Sequence, residues 1–289
     1  MTPSLPDILI LPIVRAALAE DLGRAGDVTA AACIPDGARM RAVFVARTAG
    51  VLSGIDCVRL SLLEMDPLAR FETRMSDGEA FEAGAVLAEA EADARAFLSA
   101  ERTALNLLGR LCGVATLTHT YVEAVAGTGA RIADTRKTTP GLRALEKHAV
   151  RCGGGLNHRF GLDDAILIKD NHIAVCGGVE AAVRAARAHA GHLMKIEVEV
   201  DGLEQLDQAL SLVAAGGGPD VIMLDNFDLT ELVEAVRRTR VGDHRVVLEA
   251  SGGVNLTTVR GIAGTGVDVI SVGALTHSAP VLDIGLDAV

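Results

Sequence analysis

In the second half of this chain, polar side chains close a series of short apolar runs: Asp134 with Arg136, Lys169, Glu199, Asp225, Glu249 with Ser251, and Ser271 with Gly273. Polarity rises wherever a strand leaves a core, so one such residue would mean little. Six in succession predict a common mouth, because the strand C-terminal ends and their loops build the active site of (β/α) barrels. No H-E-x-x-H, G-x-S-x-G or P-loop pattern accompanies them, which leaves zinc hydrolase, serine esterase and P-loop NTPase chemistry without support.

The charges at this mouth suit small anions. Between Arg131 and Arg159 there are seven basic residues against two acids, a local +5 in a chain of formal net charge -11. Arg136 and Lys137 directly follow a strand-like segment, and Pro140 is expected to begin a helix whose exposed face carries Arg143, Lys147 and Arg151. Gly153, Gly154 and Gly155 end that helix, and Asn157, His158 and Arg159 follow in a loop. Arginine binds carboxylate or phosphate in a bidentate way, whereas lysine acts as a point charge. Two arginines and two lysines around one mouth could hold a dicarboxylate and a pyrophosphate together. His158 is the histidine singled out; His172 is open between a catalytic-loop role and a structural hydrogen bond, and His189, His192 and His244 read as surface residues.

Glycines after the last two apolar strands, in SGGV (251 to 254) and SVGAL (271 to 275), let backbone N–H groups approach an anion and suggest a phosphate cradle. Glu197 and Glu199 alternate with Ile196 and Val198 and so share one side of their strand, Glu199 being nearer its C-terminal end and favoured for substrate contact. Glu199 with Asp225 could offer oxygen ligands to Mg2+ bound jointly with a polyphosphate. Salt bridging to Lys169 or Lys195 is the alternative use of these carboxylates.

The elements that must position these residues change in kind along the chain. Residues 5 to 23 read as a helix closed by Gly23, followed by strand-like ARMRAVFVART, GVLSGI and RFETRM, then by a long helix or two helices broken near Gly113. After Ala130, apolar strands at 131 to 134, 165 to 169, 195 to 200, 220 to 225, 245 to 250 and 267 to 273 alternate with amphipathic helices, the pattern of a parallel sheet covered by helices. With no G-x-G-x-x-G after the first strand, a barrel is favoured over a dinucleotide-binding open sheet. The expected class is α/β, an incomplete (open) α/β barrel at 113–276 with an N-terminal α+β sandwich domain at 1–112 that the last segment, 277–289, rejoins.

Composition narrows the partners. The 289 residues are 49% hydrophobic and 22% charged, which excludes disorder, and the acidic balance argues against nucleic acid or an anionic membrane. Five cysteines, odd in number and without a C-x-x-C pair, support neither a disulfide framework nor a zinc site and fit reduced thiols in the cytoplasm. No stretch approaches the roughly 18 apolar residues of a membrane span.

At the residues named above, the chain closely resembles quinolinate phosphoribosyltransferase. The match is carried by ERTALNLLGRLCGVAT, ADTRKTTPGLRALEKHAVRCGGGLNHRFGLDDAILIKDNHI, KIEVEV, IMLDNF, LEASGGV and SVGALTHS, running from 101 to 278, with LAEDLGRAGDVT fitting near the N-terminus. The resemblance implies a homodimer of sandwich and open barrel that uses Mg2+ to transfer phosphoribose from phosphoribosyl pyrophosphate to quinolinate, releasing CO2 and pyrophosphate and giving nicotinate mononucleotide. It further implies that Arg136, His158, Arg159 and Lys169 hold the quinolinate carboxylates, with Arg102 entering from the partner subunit. Lys137 would face the pyrophosphate, Glu199 and Asp225 the ribose hydroxyls and Mg2+, and the backbone of Ser251, Gly252, Gly253, Val272, Gly273 and Ala274 the 5'-phosphate. Lys137, Lys169, Glu199 and Asp225 are thereby the expected catalytic set.

Three other readings stay open on sequence alone. They are a paralogue of the same fold with another substrate, such as the type encoded with molybdate transporters, a barrel aldolase using Lys169 as a Schiff-base nucleophile, and a non-catalytic phosphate or nucleotide sensor. An aldolase would leave Arg136, Arg159 and both glycine loops unexplained together.

Overall fold

The computed structural model describes residues 3–241 and 246–289, so the expected surface position of His244 lies outside the described residues. Along the chain, α1 (Asp7–Leu22), α2 (Val28–Cys33), β1 (Arg39–Ala46), β2 (Gly50–Val51), α3 (Ile55–Met65), β3 (Arg70–Thr73), β4 (Ala80–Phe81) and β5 (Val86–Asp93) lead into the long α4 (Ala94–Ala124). Then come β6 (Arg131–Ala133), α5 (Arg143–Cys152), β7 (Ile166–Ile168), α6 (Asp170–Cys176), α7 (Val179–His189), β8 (Ile196–Val200), α8 (Leu203–Ala214) and β9 (Val221–Asp225). The remainder is α9 (Leu229–Val241), β10 (Val247–Ser251), α10 (Val259–Gly264), β11 (Val269–Ser271), α11 (Ala274–His277) and β12 (Ile284–Ala288).

The chain divides into two compact units. The first comprises Met1–His119, Thr138–Gly154 and Leu275–Val289, and the second Thr120–Lys137 and Gly155–Ala274.

The first unit is built on an antiparallel sheet in the order β12-β1-β5-β3, beside a small β2-β4 pair. The C-terminal strand returns to β1 with Ala42 opposite Ala288 and Ala46 opposite Ile284. Phe44 of β1 and Phe97 of α4 are both fully buried and stack at 6.2 Å, so one face of the sheet closes on α4 through aromatic area. Of one long helix or two broken near Gly113, the structure has the first, and α4 runs unbroken for 31 residues. Gly113 is needed for close approach instead: a Cβ there would collide with the Pro280 carbonyl oxygen, and one at Gly109, a turn earlier, would lie 2.7 Å from that of Leu282. Segment 280–282 thus crosses directly over the helix backbone.

The helix expected from Pro140 starts three residues later, at Arg143, because Gly141 holds a φ of 83° and forms a turn. The face expected to be solvated is only partly so, with Arg151 exposed and Arg143 half-buried. Lys147 is buried, and Glu146, fully buried, takes hydrogen bonds from Arg110 Nη2 of α4 (2.8 Å), Thr139 N (2.9 Å) and Thr139 Oγ1 (2.7 Å). That network ties α5 into the first unit, whereas its sequence position lies inside the expected barrel.

The second unit is a six-stranded parallel sheet, β6-β11-β10-β9-β8-β7. The first and second strands in sequence lie at opposite edges and the later ones step back between them, which is the cyclic order of a barrel left open between β6 and β7. Alternation sets the two faces. Ile196, Val198, Val200, Ile222, Leu224, Leu248 and Ile270 are fully buried on one face, and Glu197, Glu199, Met223, Asp225, Glu249, Ser251 and Ser271 share the other.

Candidate active site

The polar face lines a cavity of about 650 Å³ at the C-terminal ends of the strands. Arg136, Lys137, His158, Arg159, Lys169, Glu199, Asp225, Ser251, Gly252, Gly253 and Ser271 all contribute, so the predicted mouth is assembled from every strand of the unit. The in-register pairing of Glu199 with Met223, and of Met223 with Glu249, places these side chains at one level. Asp225 and Ser251, also paired, form the next level outward.

Cations dominate one wall. The Arg136 Nε is buried without a hydrogen-bond partner, a donor directed at an acceptor the protein does not supply. Burial and the neighbouring charge of Arg136 hold the Arg159 guanidinium below its usual value, although Glu197 and Asp164 oppose the shift. An anion between the two guanidiniums would relieve both conditions. Arg159 Nη1 also donates to the Ala165 carbonyl at 3.2 Å, which fixes its reach. Lys169 Nζ lies 2.8 Å from Glu199 Oε2.

The loop carrying His158 and Arg159 is held from beneath. Asp134, fully buried, accepts Asn157 Nδ2 and the His158 backbone N–H, both at 2.8 Å. Asp164 accepts the backbone N–H groups of Phe160 (2.6 Å) and Gly161 (2.8 Å), and these bonds lower its pKa against the opposing effect of burial. His158 lines the cavity, and both of its ring nitrogens have protein partners. Its Nδ1 accepts the Arg159 N–H at 2.8 Å and its Nε2 faces Glu197 Oε2 at 2.8 Å. With the Arg159 N–H directed at Nδ1, the other ring nitrogen is turned to Glu197, and these two contacts fix the orientation of the ring at the cavity wall.

Glu199 lines the main cavity and Glu197 does not; Glu197 lines a second, smaller chamber of about 220 Å³ toward the strand N-termini. His158, Arg159 and Glu249 border both and form the partition between them. Glu249 is almost fully buried, and its pKa is pushed up to about 7 by burial and by the charge of Glu197, with Asp134 adding and His158 and Ser271 opposing. Glu249 Oε1 and Ser271 Oγ lie in this layer without a partner of hydrogen-bonding geometry. Glu249 was visible in the sequence only as a strand-end carboxylate; the neighbours that neutralise it come from other strands.

Of the two glycine loops, Ser251, Gly252 and Gly253 line the cavity. Gly252 and Gly253 have φ of 91° and 62°, and a Cβ on Gly252 would strike Asn226 Oδ1. Asn226, itself at φ 58°, donates its N–H to the Ser251 carbonyl at 2.9 Å and lines the cavity, a role that its sequence context did not reveal. Val272 is buried and spends its N–H on the Ala133 carbonyl at 2.9 Å, so it cannot cradle a phosphate; neither it, Gly273 nor Ala274 lines the cavity. Arg102 is an exposed side chain of α4. His172 resolves to the structural use, its Nδ1 accepting the Lys169 N–H at 2.9 Å in the cap of α6.

Mg2+ fits Glu199 poorly, since Lys169 already neutralises that carboxylate, and Asp225 remains as the carboxylate at the mouth. Among the described residues, the two groups with metal-like spacing are Asp77, His148 and Cys152, and His158, Glu197 and Glu249. In both, the histidine Nε2 is engaged by a carboxylate, at 2.9 Å to Asp77 and 2.8 Å to Glu197. In the second, a metal on Nε2 would leave Nδ1 facing a donor with no proton on either nitrogen.

Comparison with known proteins agrees with this architecture. The model of the quinolinate phosphoribosyl transferase C-terminal domain matches residues 114–287, and that of the N-terminal domain residues 27–112. The chain is 48% identical over 276 residues to nicotinate-nucleotide pyrophosphorylase [carboxylating] of Mycobacterium leprae, covering 95% of each. It is 42% identical over 268 residues to the probable enzyme of that name from Bacillus subtilis, covering 93% of this chain and 89% of that one. The nicotinate-nucleotide pyrophosphorylase structure from Francisella tularensis superposes with a TM-score of 0.90 at 36% identity, covering 100% of this chain and 99% of that one. The two domain matches together span nearly the whole chain, and the chain belongs to the quinolinate phosphoribosyl transferase family.

Proposed function

We propose that this protein transfers the phosphoribosyl group of phosphoribosyl pyrophosphate to quinolinate, releasing pyrophosphate and CO2 and forming nicotinate mononucleotide. The observation that carries the proposal is the pair Arg136 and Arg159, two partly buried guanidiniums lining one cavity, the Arg136 Nε buried without a hydrogen-bond partner. A dicarboxylate supplies what that wall lacks. Gly252 and Gly253 offer a backbone cradle for a phosphate on the opposite strands of the same cavity.

The chemistry asks mainly for positioning. Attack of the pyridine nitrogen on the ribose C1 passes through a cationic centre while pyrophosphate departs, so two anions must be held in line and the leaving group neutralised. Arg136, Arg159 and Lys169 would hold the quinolinate carboxylates, and Lys137 the pyrophosphate. Glu199 and Asp225 accept the ribose hydroxyls, Glu199 with its orientation fixed by Lys169. Mg2+ accompanying the pyrophosphate would neutralise charge on the leaving group, with Asp225 as its protein carboxylate. The active form is a cytoplasmic homodimer in which Arg102 of one protomer serves the site of the other.

Incubation of the protein with quinolinate, phosphoribosyl pyrophosphate and Mg2+ tests the proposal: CO2 and nicotinate mononucleotide are expected in equal amounts. Binding of quinolinate without release of CO2, by folded protein, would sink it and favour a sensor.

A further inference from the structure

The second half of this reaction consumes a proton, and the cavity holds a buried acid that the binding roles leave unused. We infer that Glu249, at the floor of the main cavity, donates the proton that replaces the lost carboxylate of quinolinate. The inference rests on the proposed reaction and adds a catalytic residue to it.

The geometry comes first. Glu249 sits in the middle of the sheet, on β10, and reaches the cavity floor beside His158, whose Nε2 is 3.8 Å from Glu249 Oε1. That oxygen is buried without a partner of hydrogen-bonding geometry, and Glu249 as a whole is 4% exposed. A carboxylate left in that condition would cost several kcal/mol, while a carboxylic acid is far better tolerated. Four groups on other elements face it: Glu197 on β8, Asp134 after β6, His158 in the loop beyond α5 and Ser271 on β11. His158 Nε2 lies 2.8 Å from Glu197 Oε2, so the imidazole is engaged with Glu197 and stands off from Glu249. Burial and the Glu197 and Asp134 carboxylates favour the protonated form of Glu249 against the opposing effects of His158 and Ser271, and its pKa is pushed up to about 7.

The step balances without another reactant. The quinolinate nitrogen forms its bond to ribose C1 as the C1–O bond to pyrophosphate breaks. The bond between C2 and its carboxylate then breaks, CO2 leaves, and the electron pair remains on C2. The Glu249 O–H gives its proton to that pair, forming C2–H and leaving a Glu249 carboxylate, which recovers a proton from water after product departs. The new negative charge forms beneath a ring that has become a pyridinium cation, which offsets part of the cost of ionising the acid. A lysine proton donor would instead surrender one of the charges that hold the anions.

Single-turnover experiments that follow pyrophosphate and nicotinate mononucleotide separately test the inference. In Glu249→Gln, pyrophosphate release is expected within a few-fold of the unsubstituted protein, while nicotinate mononucleotide forms on the order of 10²-fold more slowly. In the unsubstituted protein, mononucleotide formation should fall above pH about 7 while pyrophosphate release does not. Equal slowing of both products in a folded Glu249→Gln protein, or mononucleotide formation within a few-fold of normal, overturns the role. Should that variant not fold, a flat alkaline profile of the unsubstituted protein overturns it equally. Absence of both products from the unsubstituted protein would refute the reaction itself, a separate outcome.

Discussion

His158 and Glu197 share a 2.8 Å hydrogen bond whose direction is dictated from the far side of the ring, where the Arg159 N–H points at Nδ1. One backbone amide therefore aligns the ring with the Glu197 carboxylate, whose charge acts on Glu249. Replacing Glu197 with Gln removes that charge, which is one of the causes raising the Glu249 pKa. The alkaline limb of mononucleotide formation should then move to lower pH, and turnover should fall roughly 10- to 100-fold as His158 loses its orientation. A pH–rate profile of the variant checks both effects.

Arg159 and Lys137 should separate binding from turnover. Arg159→Ala removes a partly buried charge facing the dicarboxylate and is expected to raise the quinolinate KM by about 10- to 100-fold with a smaller change in kcat, the size of a lost charged hydrogen bond. Lys137→Ala should lower kcat more than quinolinate affinity, because its charge is needed most as pyrophosphate leaves. Steady-state kinetics with each substrate varied would contradict these roles if both variants changed kcat and KM by small, equal amounts.

Gly252 is required twice, by its φ of 91° and by the contact its Cβ would make with Asn226. Gly252→Ala should shift the Ser251 to Gly253 loop and raise the KM for phosphoribosyl pyrophosphate at least about tenfold, since strain of this kind costs on the order of 1–3 kcal/mol. Quinolinate binding measured alone by calorimetry should change little.

In the first unit, His148 Nε2 lies 2.9 Å from Asp77 Oδ2, and Asp77 also accepts the N–H groups of Gly54 and Ile55 at the start of α3. Burial pulls the His148 pKa down, but bonds to Asp77 and Cys152 outweigh it and carry it to about 9. A histidine raised on folding stabilises most fully below its unfolded value of about 6.5, and the contribution is lost as pH rises through about 9. Thermal melts from pH 6 to 10 should show that loss. Asp77→Asn should lower stability by roughly 3 kcal/mol at pH 7, as breaking a buried pair does, and flatten the alkaline decline.

Gly113→Ala should lower stability by more than the ordinary gain from removing a helical glycine, about 1 kcal/mol, because its Cβ meets a backbone carbonyl that cannot rotate away. Denaturant titration would read the sign directly: a stabilised variant would show that segment 280–282 can yield.

The order of elements was legible from the residues alone, because each apolar strand is short, β-branched and bounded by polar ends, and the helices between are amphipathic. So was the gathering of Arg136, Lys137, Arg159, Lys169, Glu199 and Asp225 at one mouth, since parallel strands must all end on the same side. Three things depended on neighbours far apart in the chain. Gly113 spares the helix because Pro280 needs its space, Lys147 is buried because α5 is anchored through Glu146 to Arg110, and Val272 is unavailable because Ala133 takes its N–H. Residue type and spacing set which charges a strand end can present. The orientation of His158 and the raised pKa of Glu249 were decided only when packing put an amide, a second carboxylate and low-dielectric surroundings around them, because the energy of a buried charge depends on what lies within a few ångströms of it.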